Sequence, residues 1–324
     1  MALIGATGLV GRSILSVMEE SGLSPKSIAM IASERSAGSK IEFNGKSFEV
    51  EALSEKCIRG FDIAIFAAGS SVSKEWAPRF ASDGTIVIDK SSAWRGDPEC
   101  PLVVPQVNPE MLDEIPKGIV SSPNCSTAGL VIALKPLVES FGTPEHIFVA
   151  TYQAVSGAGK GGIETLARQR RGEDYKGVFE RPIFDNVLPV IGKIDECGFN
   201  VEETKLLFET RRILAFPKLQ LTATAVRVPL GIGHSEAATM VFSNEVPAYK
   251  AIEALNNASG IRVLVGDDYP TPLAAAGIDD VLVGRIRNTP GDSRVLSLFI
   301  SFDNLRRGAA TNAVELAQLI AKRI

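Results

Sequence analysis

The stretch Ala2-Leu3-Ile4-Gly5-Ala6-Thr7-Gly8-Leu9-Val10-Gly11 decides the first part of the fold. A short apolar strand (Ala2–Ile4) leads into three glycines spaced GxxGxxG, and a helical pattern follows over Ser13–Met18. Glycines at such a turn let the pyrophosphate of a dinucleotide approach backbone N–H groups at a helix N-terminus. The spacing departs from the stricter GxGxxG, and a tight turn needs glycines for its own sake. The loop alone therefore leaves both interpretations open.

The rest of the first half alternates short apolar runs with helical patterns. Gly22 closes the first helix at a C-cap position, with Pro25 just beyond it. Further apolar runs follow at Ile28–Ala32, Asp62–Ala67, Ile86–Asp89 and Ile119–Val120. This alternation predicts βαβ units in a Rossmann-like, doubly wound parallel sheet domain.

The pattern changes from about residue 146, where longer alternating strands appear. In Leu221–Val228, Thr222, Thr224 and Val226 fall on one face, and the opposite face carries Leu221, Ala223, Ala225 and Arg227. This predicts a second, α+β domain with a mixed sheet. A closing helix over Thr311–Ile324 is expected to pack on the first domain. We therefore assign residues 1–124 with 304–324 to the first domain and residues 125–303 to the second.

Composition excludes several classes of function. The 34 basic and 38 acidic residues give a net charge of −4, and no basic run is interleaved with aromatics, which argues against nucleic acid as a partner. No apolar stretch approaches the ~20 residues of a membrane span. The expected location is cytoplasmic, although the short first strand leaves open a preceding segment. Four cysteines without CxxC spacing and two histidines predict no metal site.

The end of the second predicted strand bears on cofactor choice. An NAD enzyme usually places a carboxylate here against the ribose 2′-hydroxyl. Ser33, Arg35 and Ser36 instead offer donors and a positive charge to a 2′-phosphate, which favours NADP. Glu34 would favour NAD if its side chain faced the ribose, and a plain polar turn is the remaining alternative.

Cys125 is the candidate nucleophile. It lies in Ser122-Pro123-Asn124-Cys125-Ser126-Thr127, directly before the apolar segment Ala128–Leu137, so we expect it at a helix N-terminus. The helix dipole there favours the thiolate that attacks carbonyl groups. A buried, inert thiol is the commoner fate of a lone cysteine, and the flanking polar residues also fit helix caps.

His234 is the better candidate base. It ends Arg227-Val-Pro-Leu-Gly-Ile-Gly-His234, where Gly231 and Gly233 would let the backbone turn and present the imidazole to Cys125. His146 lies at a predicted helix-to-strand junction and suits a surface role. A glycine-rich turn after Thr151-Tyr-Gln153 reads GAGKGG, which fails the GxxxxGK[ST] phosphate loop and fits the close approach of a flat ring.

Nine motifs in order resemble the aspartate-semialdehyde dehydrogenase family over nearly the whole chain. They are GATGLVG, SERSAG, SSAWR, VPQVN, SPNCST, TYQAVSGAG, EETK followed by ET, RVPLGIGH and DNLRRGAA. The resemblance implies a homodimer, built through a catalytic and dimerisation domain, that converts aspartyl phosphate reversibly into aspartate semialdehyde with NADPH. That reaction serves lysine, threonine and methionine biosynthesis. The family usually has Asn-Pro-Asn-Cys, so Ser122 is a mild departure.

The resemblance also implies roles for individual residues. Cys125 would be the nucleophile and His234 the acid–base, with Gln153 orienting the acyl group and Asn124 beside the thiol. Arg227 would hold the substrate α-carboxylate and Glu202 its ammonium, with Lys205 and Arg95 on the phosphate. A physical alternative treats Glu202 and Lys205 as a solvated helix pair. The implied cofactor contacts are Gly5, Thr7, Gly8, Leu9, Val10, Gly11, Ser33, Arg35, Ser36, Ser156, Gly157 and Asn304.

Two other functions stay open on sequence alone. N-acetyl-γ-glutamyl-phosphate reductase shares the fold and the thioester chemistry, but its substrate has an acylated amino group, which would make a carboxylate at position 202 pointless. An inactive NADP-binding homologue is the second alternative, and the presence of both Cys125 and His234 argues against it.

Overall fold

The computed structural model describes all 324 residues, which divide into two compact units. The first comprises Met1–Asn124 and Ala309–Ile324, and the second comprises Cys125–Gly308. Residues 304–308, which we assigned to the first domain from sequence, lie in the second unit. Local hydrogen bonds hold them there, because Arg306 donates to the Asp279 carboxylate at 3.0 Å and the Gly308 N–H donates to the Asp303 carbonyl at 3.1 Å.

The N-terminal part of the first unit contains seven strands and two helices. They are β1 (Ala2–Ile4), α1 (Leu9–Glu20), β2 (Ala29–Ala32), β3 (Lys40–Phe43), β4 (Lys46–Ala52), β5 (Ile63–Phe66), α2 (Ser70–Ser82), β6 (Ile86–Asp89) and β7 (Ile119–Ser121). The strand order is β3-β4-β2-β1-β5-β6-β7, and every pair is parallel except the β3–β4 hairpin. The sequence pattern did not predict this hairpin. Its signal was Asn44-Gly45, both of which have positive φ as a tight two-residue turn requires.

The second unit contains a six-stranded sheet and five helices, and one last helix returns to the first unit. The elements are α3 (Cys125–Phe141), β8 (His146–Gln153), α4 (Gly159–Arg170), α5 (Val201–Ile213), β9 (Gln220–Arg227), β10 (His234–Val241), α6 (Ala248–Asn256), β11 (Ile261–Val263), α7 (Pro272–Ala275), β12 (Val281–Thr289), β13 (Asp292–Phe302) and, in the first unit, α8 (Thr311–Ala321). No helix has both the length and the apolar character needed to cross a membrane.

The central strand β1 is buried on both faces, because successive residues of a strand point to opposite sides. Leu3 packs in a core shared with Ile14 of α1 and Val314 of α8. Ile4 packs in a second core with Phe80 of α2. Helices therefore cover both faces of the sheet, which confirms the doubly wound prediction. The strand order reverses at β1, and the carboxyl end of a strand at such a point is the usual ligand position.

The sheet of the second unit is mixed, as predicted, with the order β11-β12-β13-β10-β8-β9. Strand β8 is parallel to β9 and antiparallel to β10. The predicted alternation in β9 is confirmed, because Thr222 and Thr224 are exposed whereas Leu221 and Ala223 are buried. Helices α3 and α5 pack against this sheet. Gly129 of α3 lies so close to Phe302 of β13 that an added Cβ would be 2.2 Å from the ring, which fixes the start of α3 against the strand.

Candidate active site

Cys125 is the first residue of α3 and is partly exposed. The N–H groups of a first helical turn have no partner within the helix. The positive end of the helix dipole lies at the same place and favours a thiolate. The other cysteines differ in setting, since Cys57 and Cys100 are buried and Cys197 is exposed outside the helices and strands. Gly308 packs directly on Cys125, because a Cβ added there would be 2.7 Å from the Cβ of Cys125. A side chain at position 308 would therefore displace the thiol.

The backbone of Ala154 holds both His234 and Arg227. Its N–H donates to Nδ1 of His234 at 3.1 Å, and its carbonyl accepts a hydrogen bond from Nη1 of Arg227 at 2.7 Å. Strand directions produce this convergence. Arg227 ends β9, which is parallel to β8, whereas His234 begins the antiparallel β10, so both residues lie beside the end of β8.

Gly157 faces the same two side chains. A Cβ added there would be 2.6 Å from Nη1 of Arg227 and 3.5 Å from Nε2 of His234. The guanidinium of Arg227 therefore approaches the backbone at this glycine. Of the two glycines before His234, only Gly233 has a positive φ, at 91°, so the turn does not depend on Gly231.

Asn304 joins the two loops of this site. Its Oδ1 accepts a hydrogen bond from the Gly233 N–H at 3.0 Å, and its Nδ2 donates to Oγ of Ser156 at 3.0 Å. Asn304 is buried, so these bonds are shielded from water. The loop that presents His234 is thereby tied to the turn that carries Ser156 and Gly157.

Arg227 is 6% exposed, and burial lowers its pKa. The negative charges of Cys125 and Glu202 act in the opposite direction on that pKa. A guanidinium remains protonated in proteins even when it is buried. One fixed positive charge therefore acts on both the thiol and the carboxylate within the second unit.

His234 is fully buried, and its pKa is lowered to about 3, first by burial and then by the positive charge of Arg227, with a smaller opposing effect of the Gly233 backbone. The imidazole is therefore neutral at physiological pH. Since the Ala154 N–H donates to Nδ1, the ring carries its one proton on Nε2. Nε2 has no hydrogen-bond partner within the chain.

Glu202 lies in the first turn of α5, which a reciprocal capping box between Asn200 and Glu203 starts. Its Oε1 accepts a hydrogen bond from Nε2 of Gln153 at 3.4 Å, and its Oε2 lies 3.5 Å from Nζ of Lys205. Glu202 is only 8% exposed. The alternative that Glu202 and Lys205 form a solvated surface pair is therefore wrong for Glu202.

Glu236 is a buried residue of the site that the sequence pattern did not indicate. It is fully buried on β10, and neither carboxyl oxygen has a hydrogen-bond partner. Burial first, and then the charge of Glu202, raise the pKa of Glu236 well above its ordinary value. Glu236 lies two positions after His234 and thus on the same face of the strand. The available signal was an acidic residue at an inward position of an alternating strand.

Replacing Glu236 by Gln should stabilise the protein increasingly as the pH rises. At pH 4 both the folded and the unfolded wild type hold this carboxyl mostly protonated, so the variant gains little. Above the ordinary pKa of 4.5 the unfolded wild type ionises Glu236 while the folded chain keeps it neutral. The free energy of unfolding of the wild type therefore falls by about 1.4 kcal/mol per pH unit until the pH reaches the pKa of Glu236 in the folded chain. Urea unfolding at several pH values measures the difference in the free energy of unfolding between the variant and the wild type. A difference that does not change with pH would contradict a neutral Glu236.

The glycine loop of the first unit leaves the start of α1 open. Gly5 has a φ of 85°, and a Cβ there would be 2.5 Å from the Ala67 carbonyl oxygen. A Cβ at Gly11 would be 2.3 Å from the Gly5 carbonyl oxygen, so both glycines are required by packing. The N-cap of α1 is Gly8, and no side chain caps the helix. The first-turn N–H groups, including those of Leu9 and Val10, therefore suit an anion such as a pyrophosphate.

The turn after β2 lies next to this loop. Oγ1 of Thr7 donates to Oγ of Ser36 at 3.3 Å. Ser33, Glu34 and Arg35 are exposed, so both the acidic and the basic side chain are available to a ligand. This arrangement fits the ribose end of a dinucleotide and leaves the choice between NAD and NADP to the chemistry of Glu34 and Arg35.

Arg95 is buried in the first unit and is held by backbone carbonyls. Its Nε donates to the Ser122 carbonyl at 2.9 Å and its Nη2 to the Lys90 carbonyl at 3.0 Å. Nζ of Lys90, a residue that the sequence analysis did not select, donates to Oγ of Ser122. Two cations thus brace the segment that ends this unit at Asn124, directly before Cys125 in the sequence.

Comparison with known proteins assigns the family. Residues 1–115 match the semialdehyde dehydrogenase NAD binding domain and residues 134–307 match the semialdehyde dehydrogenase dimerisation domain. The chain is 46% identical to the aspartate-semialdehyde dehydrogenase of Aquifex aeolicus, over 99% of this chain and 98% of that protein.

Two solved structures extend the match. Aspartate semialdehyde dehydrogenase II of Vibrio cholerae, complexed with ASA, superimposes with a TM-score of 0.93 at 39% identity, over 99% of this chain and 97% of that one. The enzyme of Candida albicans, solved with NADP, gives a TM-score of 0.77 at 26% identity, over 99% and 97%. The protein described here belongs to the aspartate-semialdehyde dehydrogenase family of oxidoreductases.

Proposed function

We propose that this chain is an NADP-dependent, phosphorylating aspartate-semialdehyde dehydrogenase that carries its substrate as a thioester on Cys125. The proposed reaction is the reversible reductive dephosphorylation of L-4-aspartyl phosphate to L-aspartate 4-semialdehyde. The observation that carries this proposal is the convergence of Arg227 and His234 on the backbone of Ala154, where the positive charge of Arg227 acts on both Cys125 and Glu202.

The charged side chains match a substrate with one carboxylate, one ammonium and one phosphate. Arg227 binds the α-carboxylate, because a planar guanidinium pairs with a carboxylate better than an ammonium does. Glu202 binds the α-ammonium, and its burial strengthens that attraction. Lys205 and Arg95 are proposed to bind the phosphate. The complex of the Vibrio cholerae relative with ASA supports this substrate class.

The cofactor is proposed to be NADP. When bound, it supplies the acceptor for the hydride that the substrate loses on oxidation. In the first unit the open start of α1 would hold the pyrophosphate, and Arg35 with Ser33 and Ser36 would bind the 2′-phosphate. The loop contacts are Gly5, Thr7, Gly8, Leu9, Val10 and Gly11, and those of the second unit are Ser156, Gly157 and Asn304. The structure of the Candida albicans relative with NADP supports the cofactor.

The protein's own residues perform the remaining steps. The Cys125 thiolate adds to the aldehyde carbon and leaves again when phosphate attacks the thioester. Gln153, buried and hydrogen-bonded to Glu202, orients the acyl group. Asn124 and His234 act beside the thiol. The match of residues 134–307 to a dimerisation domain supports a homodimer built through the second unit.

Replacing Glu202 by Gln tests the substrate assignment. The loss of a charge-assisted hydrogen bond of about 2–3 kcal/mol should raise KM for aspartate semialdehyde by about 30- to 150-fold. KM for NADP should stay unchanged, which serves as the internal control. An unchanged KM for aspartate semialdehyde would favour a substrate without a free ammonium, such as the N-acetylated γ-glutamyl rival.

A steady-state assay tests the reaction class. NADP reduction with aspartate semialdehyde should depend on inorganic phosphate, because phosphate is the group that releases the thioester. Turnover that does not depend on phosphate would indicate ordinary aldehyde oxidation by water and would refute the phosphorylating reaction.

A further inference from the structure

We infer that Asp279 and Gly308 are positioning residues for Cys125. Asp279 locks the turn that carries Gly308, and Gly308 sets the place of the nucleophile because it has no side chain. The inference rests on the proposed function, since it takes Cys125 as the nucleophile. All three residues lie in the second unit.

Gly308 packs on the main chain of the nucleophile. A Cβ added to Gly308 would be 2.7 Å from the Cβ of Cys125, 3.1 Å from its Cα and 3.5 Å from its carbonyl oxygen. Rotation of the cysteine side chain moves none of these atoms, so it cannot relieve the clash. Helix α3 cannot easily shift either, because Gly129 fixes it against the Phe302 ring. A side chain at position 308 must therefore displace Cys125 or the turn.

The turn that carries Gly308 is π-helical over Arg306–Ala310, a form that is rare and often lies at functional sites. The Gly308 N–H donates at 3.1 Å to the carbonyl of Asp303, five residues earlier. The Asp303 carboxylate holds the same segment, because its Oδ1 accepts from the N–H groups of Leu305 at 2.8 Å and Arg306 at 3.1 Å. Asp303 is buried, so water competes little for these bonds.

Asp279 holds the turn through two arginines. Nε and Nη2 of Arg306 donate to Oδ1 and Oδ2 of Asp279, both at 3.0 Å, in the bidentate geometry that orients a guanidinium most strictly. Nε of Arg307 donates to the Asp279 carbonyl. The Arg306 side chain is only 13% exposed, so this pair is less screened than an ion pair on the surface. Loss of the Asp279 carboxylate should therefore loosen the turn two residues before Gly308.

Asp280 provides the contrast to Asp279. The two carboxylates are neighbours in the sequence, and their side chains are 38% and 37% exposed. Asp280 also pairs with an arginine, since Nη2 of Arg262 lies 2.9 Å from its Oδ2. Arg262 belongs to β11 and not to the turn. A general effect of losing an ion pair should therefore appear at both positions, whereas an effect on the nucleophile should appear at Asp279 alone.

The place of the thiol affects rate more than binding. Attack on a carbonyl carbon requires the reacting atoms to be about 3–3.5 Å apart and aligned, and a misplacement of about 1 Å can cost about 10²-fold in rate. The substrate charges are proposed to be bound by other side chains, chiefly Arg227 and Glu202. Displacement of Cys125 should therefore lower kcat and leave KM for aspartate semialdehyde nearly unchanged.

A double-mutant cycle on kcat tests the coupling. Gly308→Ala should lower kcat by about 10²-fold and Asp279→Ala by about 10-fold. In the Asp279→Ala background, Gly308→Ala should cost only about 10-fold more, because the loosened turn can move away from Cys125. The double variant should then lose about 10²-fold, against about 10³-fold for independent sites. Asp279→Asn keeps one acceptor for Arg306 and should have an intermediate kcat, whereas Asp280→Ala should keep that of the wild type.

Alkylation of Cys125 by iodoacetamide gives a second readout, which needs no turnover and which a purely structural ion pair would not move. It is done in a Cys197→Ser background, because Cys197 is the other cysteine whose side chain is not buried. The pH is kept below the midpoint of the wild-type thiol, where the rate follows the thiolate fraction. The rate should fall about 2- to 5-fold in Gly308→Ala and Asp279→Ala, because the sulfur leaves the positive end of α3, and stay unchanged in Asp280→Ala.

Three results would each overturn the inference: wild-type turnover and alkylation in Gly308→Ala, equal losses in Asp279→Ala and Asp280→Ala, or a fully additive cycle. If Gly308→Ala does not fold, the comparison of Asp279→Ala with Asp280→Ala decides the matter alone. Failure of phosphate-dependent turnover in the wild type would instead refute the proposed function. The alkylation rates would still decide whether Asp279 and Gly308 position the thiol.

Discussion

Cys125→Ala should lose NADP reduction with aspartate semialdehyde by about 10⁴-fold or more, because no other group can form the covalent intermediate. The loss should appear in kcat, whereas binding of NADP should persist. Cys125 begins α3 and lies against Gly308, so removal of one sulfur atom leaves the backbone at this point unchanged. Steady-state rates and cofactor titration measure the two effects separately.

Cys197→Ser is the matched control for this variant. Cys197 is exposed and lies outside the helices and strands, so its thiol should contribute nothing to turnover. Similar losses in both variants would point to general thiol damage. A Cys125→Ala enzyme that keeps more than about a tenth of its kcat would show that the aldehyde is oxidised without a covalent intermediate.

Arg227→Leu should lower kcat/KM for aspartate semialdehyde by about 10³-fold, because loss of a buried charged partner costs about 3–5 kcal/mol. Arg227→Lys keeps the charge but loses the planar fork, so we expect a smaller loss of about 10²-fold. The guanidinium also donates to the Ala154 carbonyl, and its positive charge acts on the Cys125 thiol, so kcat should fall together with an increase in KM.

Arg262→Lys provides the control for Arg227. Arg262 is an exposed residue of the second unit that pairs with Asp280, so this change should leave both kinetic constants unchanged. Wild-type kinetics in Arg227→Leu would remove the residue from substrate binding. They would also show that the positive charge of Arg227 is not needed to stabilise a thiolate at Cys125.

The apolar patterns in the sequence were sufficient to predict that each unit contains a sheet, but not to predict every strand. In the first unit, the apolar runs at Ile86–Asp89 and Ile119–Val120 became β6 and β7 at nearly the predicted bounds, because strands buried on both faces must be continuously apolar. The β3–β4 hairpin was missed because its strands carry charged residues on the exposed side, as in Lys40-Ile41-Glu42-Phe43.

The sequence selected most of the candidate site residues, though not Glu236 or Lys90, and it did not show their mutual arrangement. The sequence predicted Cys125 at a helix N-terminus, and it placed Glu202 and Lys205 on one helix without showing where that helix begins. The two bonds of Ala154 depend on which strands flank β8, which the sequence does not show. The neutral state of His234 and Glu236 was hidden for the same reason, since burial of a titratable group is a property of the folded sheet.

The most direct test of the account is to trap the acyl enzyme. The protein is mixed with aspartate semialdehyde and NADP in the absence of phosphate, quenched in acid, digested and mapped by mass spectrometry. We predict an acyl group on Cys125 alone, which phosphate added before the quench removes. Reduction of NADP with no adduct on Cys125, or with the adduct on another residue, would contradict the central claim that this thiol carries the substrate.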